Sequence, residues 1–267
     1  MNAAERIAAA RTFLFVPGDR PERFDKALAV GADLVIVDLE DAVAPAAKTD
    51  ARAALAAWLS PNKPVLVRVN PAGHSGFAHD LALCGHDGVA GIIVPKATAD
   101  DVTAAADARK PMLALIESAR GVSDMAAIAA TSGVVRLAIG AIDLAGDLGL
   151  GPEDALVDPI RLQMTLASRL AGIAAPVDGV TAAFKDEARL ASDVARARAL
   201  GFGGKLCIHP LQVAGVAAGF APTPAEISWA TQIVDADALA AGAAVQVDGE
   251  MVDKPVVDRA RRILGML

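Results

Sequence analysis

The sequence predicts an α/β fold, a (β/α)8 TIM barrel, on three observations. Eight short apolar runs rich in Val, Ile and Leu recur along the chain, helical segments separate them, and nearly every run ends in a polar or charged residue. Runs this apolar suit strands covered on both faces. Alternation of strand and helix argues for a parallel sheet with helices outside, and eight such units close a barrel. A length of 267 residues is normal for that architecture. An open, doubly wound sheet is the alternative, but it usually has fewer strands.

The strands follow in order. FLFV (13–16) runs into Pro17-Gly18-Asp19-Arg20, LVIV (34–37) into Asp38-Leu39-Glu40-Asp41, and VLV (65–67) into Arg68-Val69-Asn70. GIIV (91–94) is followed by Pro95-Lys96, MLALI (112–116) by Glu117, and VVRLAI (134–139) by Gly140 and then Asp143. GIAAPV (172–177) ends in Asp178, and KLCI (205–208) in His209-Pro210. In a parallel barrel all these ends face one mouth, so the pattern gathers acids, Arg, Lys and His into one pocket.

Helices fill the gaps. Asp19 and Pro21 give a start signal, Phe24, Ala27 and Leu28 share a face, and Gly31 stops the first helix. Residues 48–59, 78–84, 99–109, 121–130, 155–171 and 185–200 supply the next ones, and a further short helix starts near Pro210. The Gly-rich GDLGLG (146–151) does not match a dinucleotide fingerprint and reads as a flexible loop at the mouth. After Pro222 and Pro224 the rhythm breaks. Residues 224–241 read as a helix, AVQVDGEMV (244–252) as a hairpin turning at Asp248-Gly249, and 255–266 as a basic helix. The expected division is a catalytic barrel over 1–221 and a small helix–hairpin–helix appendage over 222–267, serving as a lid or an oligomer contact.

A net charge of −7 argues against nucleic-acid or anionic-membrane partners. No uncharged stretch approaches the roughly 20 apolar residues that span a bilayer, and the first residues lack an apolar signal core. A cytoplasmic location is expected. Cys84 and Cys207 make no disulfide framework and read as buried reduced thiols.

Glu117 and Asp143 form the sharpest pair. Each stands just past one of two consecutive strands, and neighbouring strands lie about 4.8 Å apart. Both carboxylates could therefore reach one divalent ion, and Mg²⁺ takes hard oxygen ligands while keeping waters. Two solvated loop acids would give the same spacing. Asp38 and Glu40 should point the same way if the strand persists, orienting metal waters or holding arginines; a loop of capping acids is the bland reading. Arg68 suits bidentate binding of a carboxylate or a developing enolate oxygen, or a structural salt bridge to the DLED acids. Lys96 could bind an anion or form a Schiff base, which the acid pair elsewhere disfavours. Arg20 and Asn70 are the remaining candidates for substrate binding, Arg23 a weaker one. His209 could be an acid or base or a packed rim residue, and Asp178 is read as a rim residue. His74, His79 and His86 read as surface residues.

Taken in order, RTFLFVPGDRPERFDKA, DLVIVDLEDAV, RVN, VPKA, LIESARG, GAIDLAGDLG and KLCIHPLQ resemble the HpcH/HpaI aldolase–citrate lyase β-subunit family over residues 11–215, and DGEMVDKPVVDRARRIL extends the resemblance into the tail. The resemblance implies a TIM barrel assembled as a trimer or hexamer. It implies Mg²⁺-dependent cleavage of a 3-hydroxyacyl-CoA thioester, of citramalyl- or malyl-CoA type, to acetyl-CoA and a 2-oxo acid. Action on an acyl-carrier thioester, thioester hydrolysis and a non-catalytic scaffold are the alternatives. By motif match, Glu117 and Asp143 would hold the metal, and Arg68 would bind substrate and stabilise the enolate. Asp253 of the MVDKP segment would act in catalysis from a neighbouring subunit. The chain departs from the pattern at Ile142, where many relatives have Glu.

Overall fold

A computed structural model describes residues 1–151, 154–239, 245–247 and 250–266. Eight strands close a barrel in sequential order: β1 (Thr12–Pro17), β2 (Leu34–Asp38), β3 (Val65–Arg68), β4 (Val89–Val94), β5 (Met112–Ile116), β6 (Val134–Ile139), β7 (Val177–Asp178) and β8 (Gly204–Cys207). Each pairs in parallel with the next, and β8 pairs with β1 through Leu206↔Phe13. The helices are α1 (Ala3–Ala9), α2 (Phe24–Ala29), α3 (Lys48–Trp58), α4 (Phe77–Cys84), α5 (Ala99–Ala105), α6 (Ala119–Ala130), α7 (Ala141–Asp147), α8 (Asp158–Ala171), α9 (Glu187–Ala199) and α10 (Pro210–Phe220).

Strand alternation sorts the side chains into two cores. Phe13, Leu34, Ile36, Leu66, Ile93, Leu113, Leu115 and Leu206 fill the barrel as one apolar cluster. Leu14, Val16, Val35, Val37, Val65, Val67, Ile92 and Ala114 point outward and pack under the helices. Continuing the inner parity by one step puts Asp38, Arg68 and Glu117 together as the next layer toward the C-terminal mouth. That layer is the reason the fold matters for function.

The floor is closed by α1, which the sequence reading did not assign. Its start signal was legible: Asn2 and Glu5 form a capping box. Ile7 enters the barrel cluster. Gly91 makes room for it, since a Cβ there would stand 2.6 Å from Ile7 Cδ1. Arg136 of β6, fully buried, donates to the carbonyls of Ile7 (3.0 Å), Ala10 (2.5 Å) and Ala175 (2.5 Å). A buried guanidinium is tolerated because its N–H groups are hydrogen-bonded to these three carbonyls.

Four expectations are corrected. The run GIAAPV supplies only Val177 to β7, because Gly172 (φ +69°) ends α8 in a left-handed cap and Pro176 has no N–H for a ladder. Gly146 and Asp147 of GDLGLG belong to α7, a seven-residue helix too short to show a period. The helix at Pro210 is not short; it runs eleven residues. Asp178, expected at the rim, is buried, as described below.

Residues Ala221–Leu267 form a second compact unit. It contains α11 (Pro224–Leu239), β9 (Val245–Val247) paired antiparallel with β10 (Glu250–Val252), and α12 (Lys254–Ile263). Ala230, Ile233, Val252, Val257 and Ala260 make its own small core. The expected turn at Asp248-Gly249 lies outside the described residues. Cys84 and Cys207 are buried and unpaired, and burial pushes both thiols up to about 12, with the nearby Asp80 charge adding to the effect at Cys84. Among the described residues no helix is long and apolar enough to cross a membrane.

Candidate active site

A cavity of about 350 Å³ opens at the C-terminal ends of the strands. Asp38, Arg68, Glu117 and Asp143 supply its charged lining, and Phe15, Leu115, Ile142, Val180, Leu206 and Ile208 much of the apolar remainder. A wider and more open recess of about 680 Å³ along Ala182–Glu187 contains none of these four charged residues.

The β2–β3 register places Asp38 directly beside Arg68. Asp38 accepts two bonds from the guanidinium, Nε to Oδ1 at 2.7 Å and Nη2 to Oδ2 at 2.5 Å. Its carboxylate also accepts from the backbone N–H of Glu40 (2.9 Å) and Ala42 (3.2 Å), so the loop after β2 wraps around it. Arg68 Nη1 lies 3.1 Å from Glu40 Oε2. Two of the five guanidinium donors are thereby hydrogen-bonded, and Nη1 is ion-paired with Glu40, which leaves the remaining N–H groups on the terminal nitrogens without a hydrogen bond. Burial disfavours the charge on Arg68, but Asp38 and Glu40 outweigh it and raise its pKa above the ordinary value. The salt-bridge and ligand-binding readings of Arg68 are compatible in this geometry.

Glu40 continues the network. Its Oε1 accepts from Lys96 Nζ at 2.5 Å, and the same ammonium reaches Asp41 Oδ2 at 3.2 Å. Lys48, a buried lysine that sequence reasoning passed over, donates to the carbonyls of Leu39 (2.8 Å) and Glu40 (2.7 Å) and pins the loop backbone.

Glu117 is 3% exposed, and its Oε1 accepts the backbone N–H of Lys96 at 2.7 Å. A Cβ on Gly140 would collide with the Glu117 carboxylate, so glycine is required at the end of β6. Burial pushes the Glu117 carboxyl up to about 8. The Lys96 N–H and Arg68 pull it down, while the Asp143 and Glu40 charges push it further up. Asp143, exposed in the first turn of α7, lines the same cavity.

These residues suit a hard divalent cation. Glu117 is a buried carboxyl with too little positive charge nearby to ionise freely, beside a second carboxylate on the same cavity. Among the described residues no group of three or more His, Cys, Asp or Glu is placed to hold a metal. Two carboxylates completed by water and substrate oxygens match the coordination that Mg²⁺ takes.

The other sequence candidates lie apart from the cavity lining. Arg20 is exposed at the head of the turn Pro21–Arg23, 3.9 Å from Asp19. Asn70 is buried and donates its N–H (2.9 Å) and Nδ2 (2.6 Å) to Asp80, whose other oxygen takes Arg52 at 3.2 Å. Asp178 points outward from the barrel wall, where it holds Lys205 Nζ at 2.6 Å and Arg161 Nε at 3.0 Å. Its parity is opposite to that of Val177, which is why it misses the mouth. His209 stacks on Phe184 with centroids 4.4 Å apart. Asp253 caps α12 in the second unit, accepting from Val256 N at 3.4 Å.

Comparison with known proteins gives a consistent answer. Residues 11–210 match the family described as HpcH/HpaI aldolase/citrate lyase. A citrate lyase subunit beta-like protein of Deinococcus radiodurans is 37% identical, covering 99% of this chain and 99% of its own. A (3S)-malyl-CoA thioesterase of Cereibacter sphaeroides is 35% identical over 95% of this chain and 93% of its own. The crystal structure of CitE from Mycobacterium tuberculosis in complex with magnesium, acetoacetate and coenzyme A superposes with a TM-score of 0.85 at 36% identity, covering 97% of this chain and 98% of that one. With its closed eight-stranded barrel and this match over most of its length, the chain belongs to the HpcH/HpaI aldolase/citrate lyase family of enzymes.

Proposed function

We propose that the protein is a Mg²⁺-dependent carbon–carbon lyase that cleaves a 3-hydroxyacyl-CoA thioester of citramalyl- or malyl-CoA type to acetyl-CoA and a 2-oxo acid. The observation that carries the reading is one cavity in which the Glu117 and Asp143 carboxylates meet an Arg68 held in place by Asp38. A CitE relative that binds magnesium and coenzyme A supports both the metal and the thioester.

Glu117 and Asp143 would hold Mg²⁺, which supplies Lewis-acid polarisation of the substrate oxygens. A base takes the proton from the 3-hydroxyl, the C2–C3 bond breaks, and its electron pair moves into the thioester as an enolate. C3 leaves as the carbonyl carbon of the 2-oxo acid, and protonation of C2 gives acetyl-CoA. Arg68 turns its remaining terminal N–H donors toward the enolate oxygen, where stabilisation matters most. Asp38 and Glu40 keep the guanidinium fixed, so little reorganisation accompanies the charge that develops. The apolar walls of Phe15, Leu115 and Leu206 keep water from the enolate side. Asp253, brought by the tail of a neighbouring copy in a homotrimer or hexamer, is the candidate base.

Thioester hydrolysis to free CoA and the hydroxy acid is the second reading, supported by the malyl-CoA thioesterase relative. Incubation with each thioester and Mg²⁺, followed by mass spectrometry, separates the two. Acetyl-CoA with a 2-oxo acid is the expected result. Free CoA with the intact hydroxy acid would replace the lyase reading, and no product from either thioester would remove both.

A further inference from the structure

Lys96 stands two residues past β4 with a left-handed backbone, φ +46°. Among the described residues only Arg109 shares this feature without being glycine, and that residue closes a helical turn. A residue with a Cβ avoids this region unless its surroundings enforce it. Here the surroundings are visible on both sides of the residue. The backbone N–H is turned onto Glu117 Oε1 at 2.7 Å, and the next N–H, of Ala97, bonds the Leu115 carbonyl of β5 at 3.0 Å. The side chain runs the other way, and its ammonium is held by Glu40 Oε1 and Asp41 Oδ2. An ammonium so held is partly neutralised by two carboxylates and does not line the cavity.

We propose that Lys96 is a positioning residue: its left-handed backbone aims its N–H at the Glu117 carboxylate, and the ion pairs of its ammonium with Glu40 and Asp41 hold that turn in place. One residue thereby links the two halves of the site. Its backbone fixes the buried carboxylate just past β5, and its side chain braces Glu40, which in turn braces Arg68. The sequence suggests a different role, an anion-binding lysine at a strand end, and the two roles predict different measurements.

The inference rests on Glu117 being a metal ligand, so the test separates the two claims. Mg²⁺ binding to the full-length, EDTA-stripped protein is measured by calorimetry for wild type, Lys96→Gly, Lys96→Val and Glu117→Ala. Glycine adopts the left-handed backbone freely and needs no anchor, whereas valine is β-branched and resists it. The expected dissociation constants are within about threefold of wild type for Lys96→Gly and about tenfold weaker for Lys96→Val, the loss of one hydrogen bond to a charged group. Equal weakening in both variants would show that the ammonium, not the backbone, acts on Glu117 and would overturn the proposal. Wild-type affinity in Lys96→Val would overturn it as well. Should Lys96→Val fail to fold, Lys96→Ala takes its place against glycine, with the same two readings. Steady-state kinetics add a second discriminator. A direct substrate-binding lysine would raise KM in every variant and leave Mg²⁺ affinity untouched, which also contradicts the proposal. If Glu117→Ala binds Mg²⁺ as well as wild type does, it is the metal assignment that fails, whatever the Lys96 variants do.

Discussion

Glu117→Gln should stabilise the metal-free protein while abolishing its response to Mg²⁺. In the fold, burial lifts the Glu117 carboxyl from 4.5 to about 8. Each pH unit of such a difference is worth about 1.36 kcal/mol, so ionising Glu117 in the metal-free fold costs about 5 kcal/mol more than in the unfolded chain. The sign follows from an acid whose folded pKa lies above its unfolded one. Below about pH 4.5 both states are protonated and there is no penalty. The penalty grows as the unfolded chain ionises and is complete above about pH 8. At pH 7 it amounts to about 3 kcal/mol by the same arithmetic. Glutamine has nearly the same shape, still accepts the Lys96 N–H and never ionises. The assay is urea unfolding of both proteins in EDTA from pH 4.5 to 9, read as the difference between them, so that other titrating groups cancel. The variant should gain on wild type steadily up to about pH 8 and then level off. Saturating Mg²⁺, at about 100 times its dissociation constant, should add about 2.7 kcal/mol to wild type and nothing to the variant. A difference that stays flat across the pH range would show that burial does not raise the Glu117 carboxyl, and Mg²⁺ stabilising both proteins equally would show that Glu117 does not hold the metal.

Three further outcomes follow from the same geometry. Asp38→Asn removes the carboxylate that fixes the Arg68 fork at two points, so kcat should fall by about 10- to 100-fold with Mg²⁺ affinity little changed; an unaltered kcat would contradict the anchoring role. Gly140→Ala drives a methyl group into the Glu117 carboxylate and should weaken Mg²⁺ binding by about tenfold in calorimetry, the scale of one hydrogen bond to a charged group, with the circular-dichroism spectrum retained. Arg136→Met strips three buried carbonyls of their donor at the barrel floor and should cost about 3 kcal/mol in denaturant unfolding, while kcat of the folded enzyme stays at the wild-type value.

Much of the architecture was legible because eight apolar runs repeat one simple unit. The strand ends were legible for a related reason. A polar residue that directly follows an inward-facing apolar one in the alternation must join the mouth layer, as Asp38 follows Leu34 and Ile36 and Glu117 follows Leu113 and Leu115. Alternation also explains the failure at Asp178. Sequence adjacency marks it as a strand end, but only the barrel's own parity tells that Val177 faces in and Asp178 faces out toward Arg161. Lys96 was legible as a cation and not as a backbone device, because φ is not written in a side chain. Asn70 looked like a ligand group for want of its partner Asp80, ten residues away on α4. Lys48 and Gly140 carried little signal, since a lysine in a helix and a glycine after a strand are each common. The short β7 and α7 lie below the length at which periodicity can be read.

A crystal structure of the protein with Mg²⁺ and a 3-hydroxyacyl-CoA thioester tests the metal and substrate assignments together. The metal is expected on the Glu117 and Asp143 carboxylates, and the thioester oxygen within hydrogen-bond distance of the Nη donors of Arg68. A metal bound elsewhere, or an acyl group that leaves Arg68 without a contact, would rule out these roles for Glu117, Asp143 and Arg68.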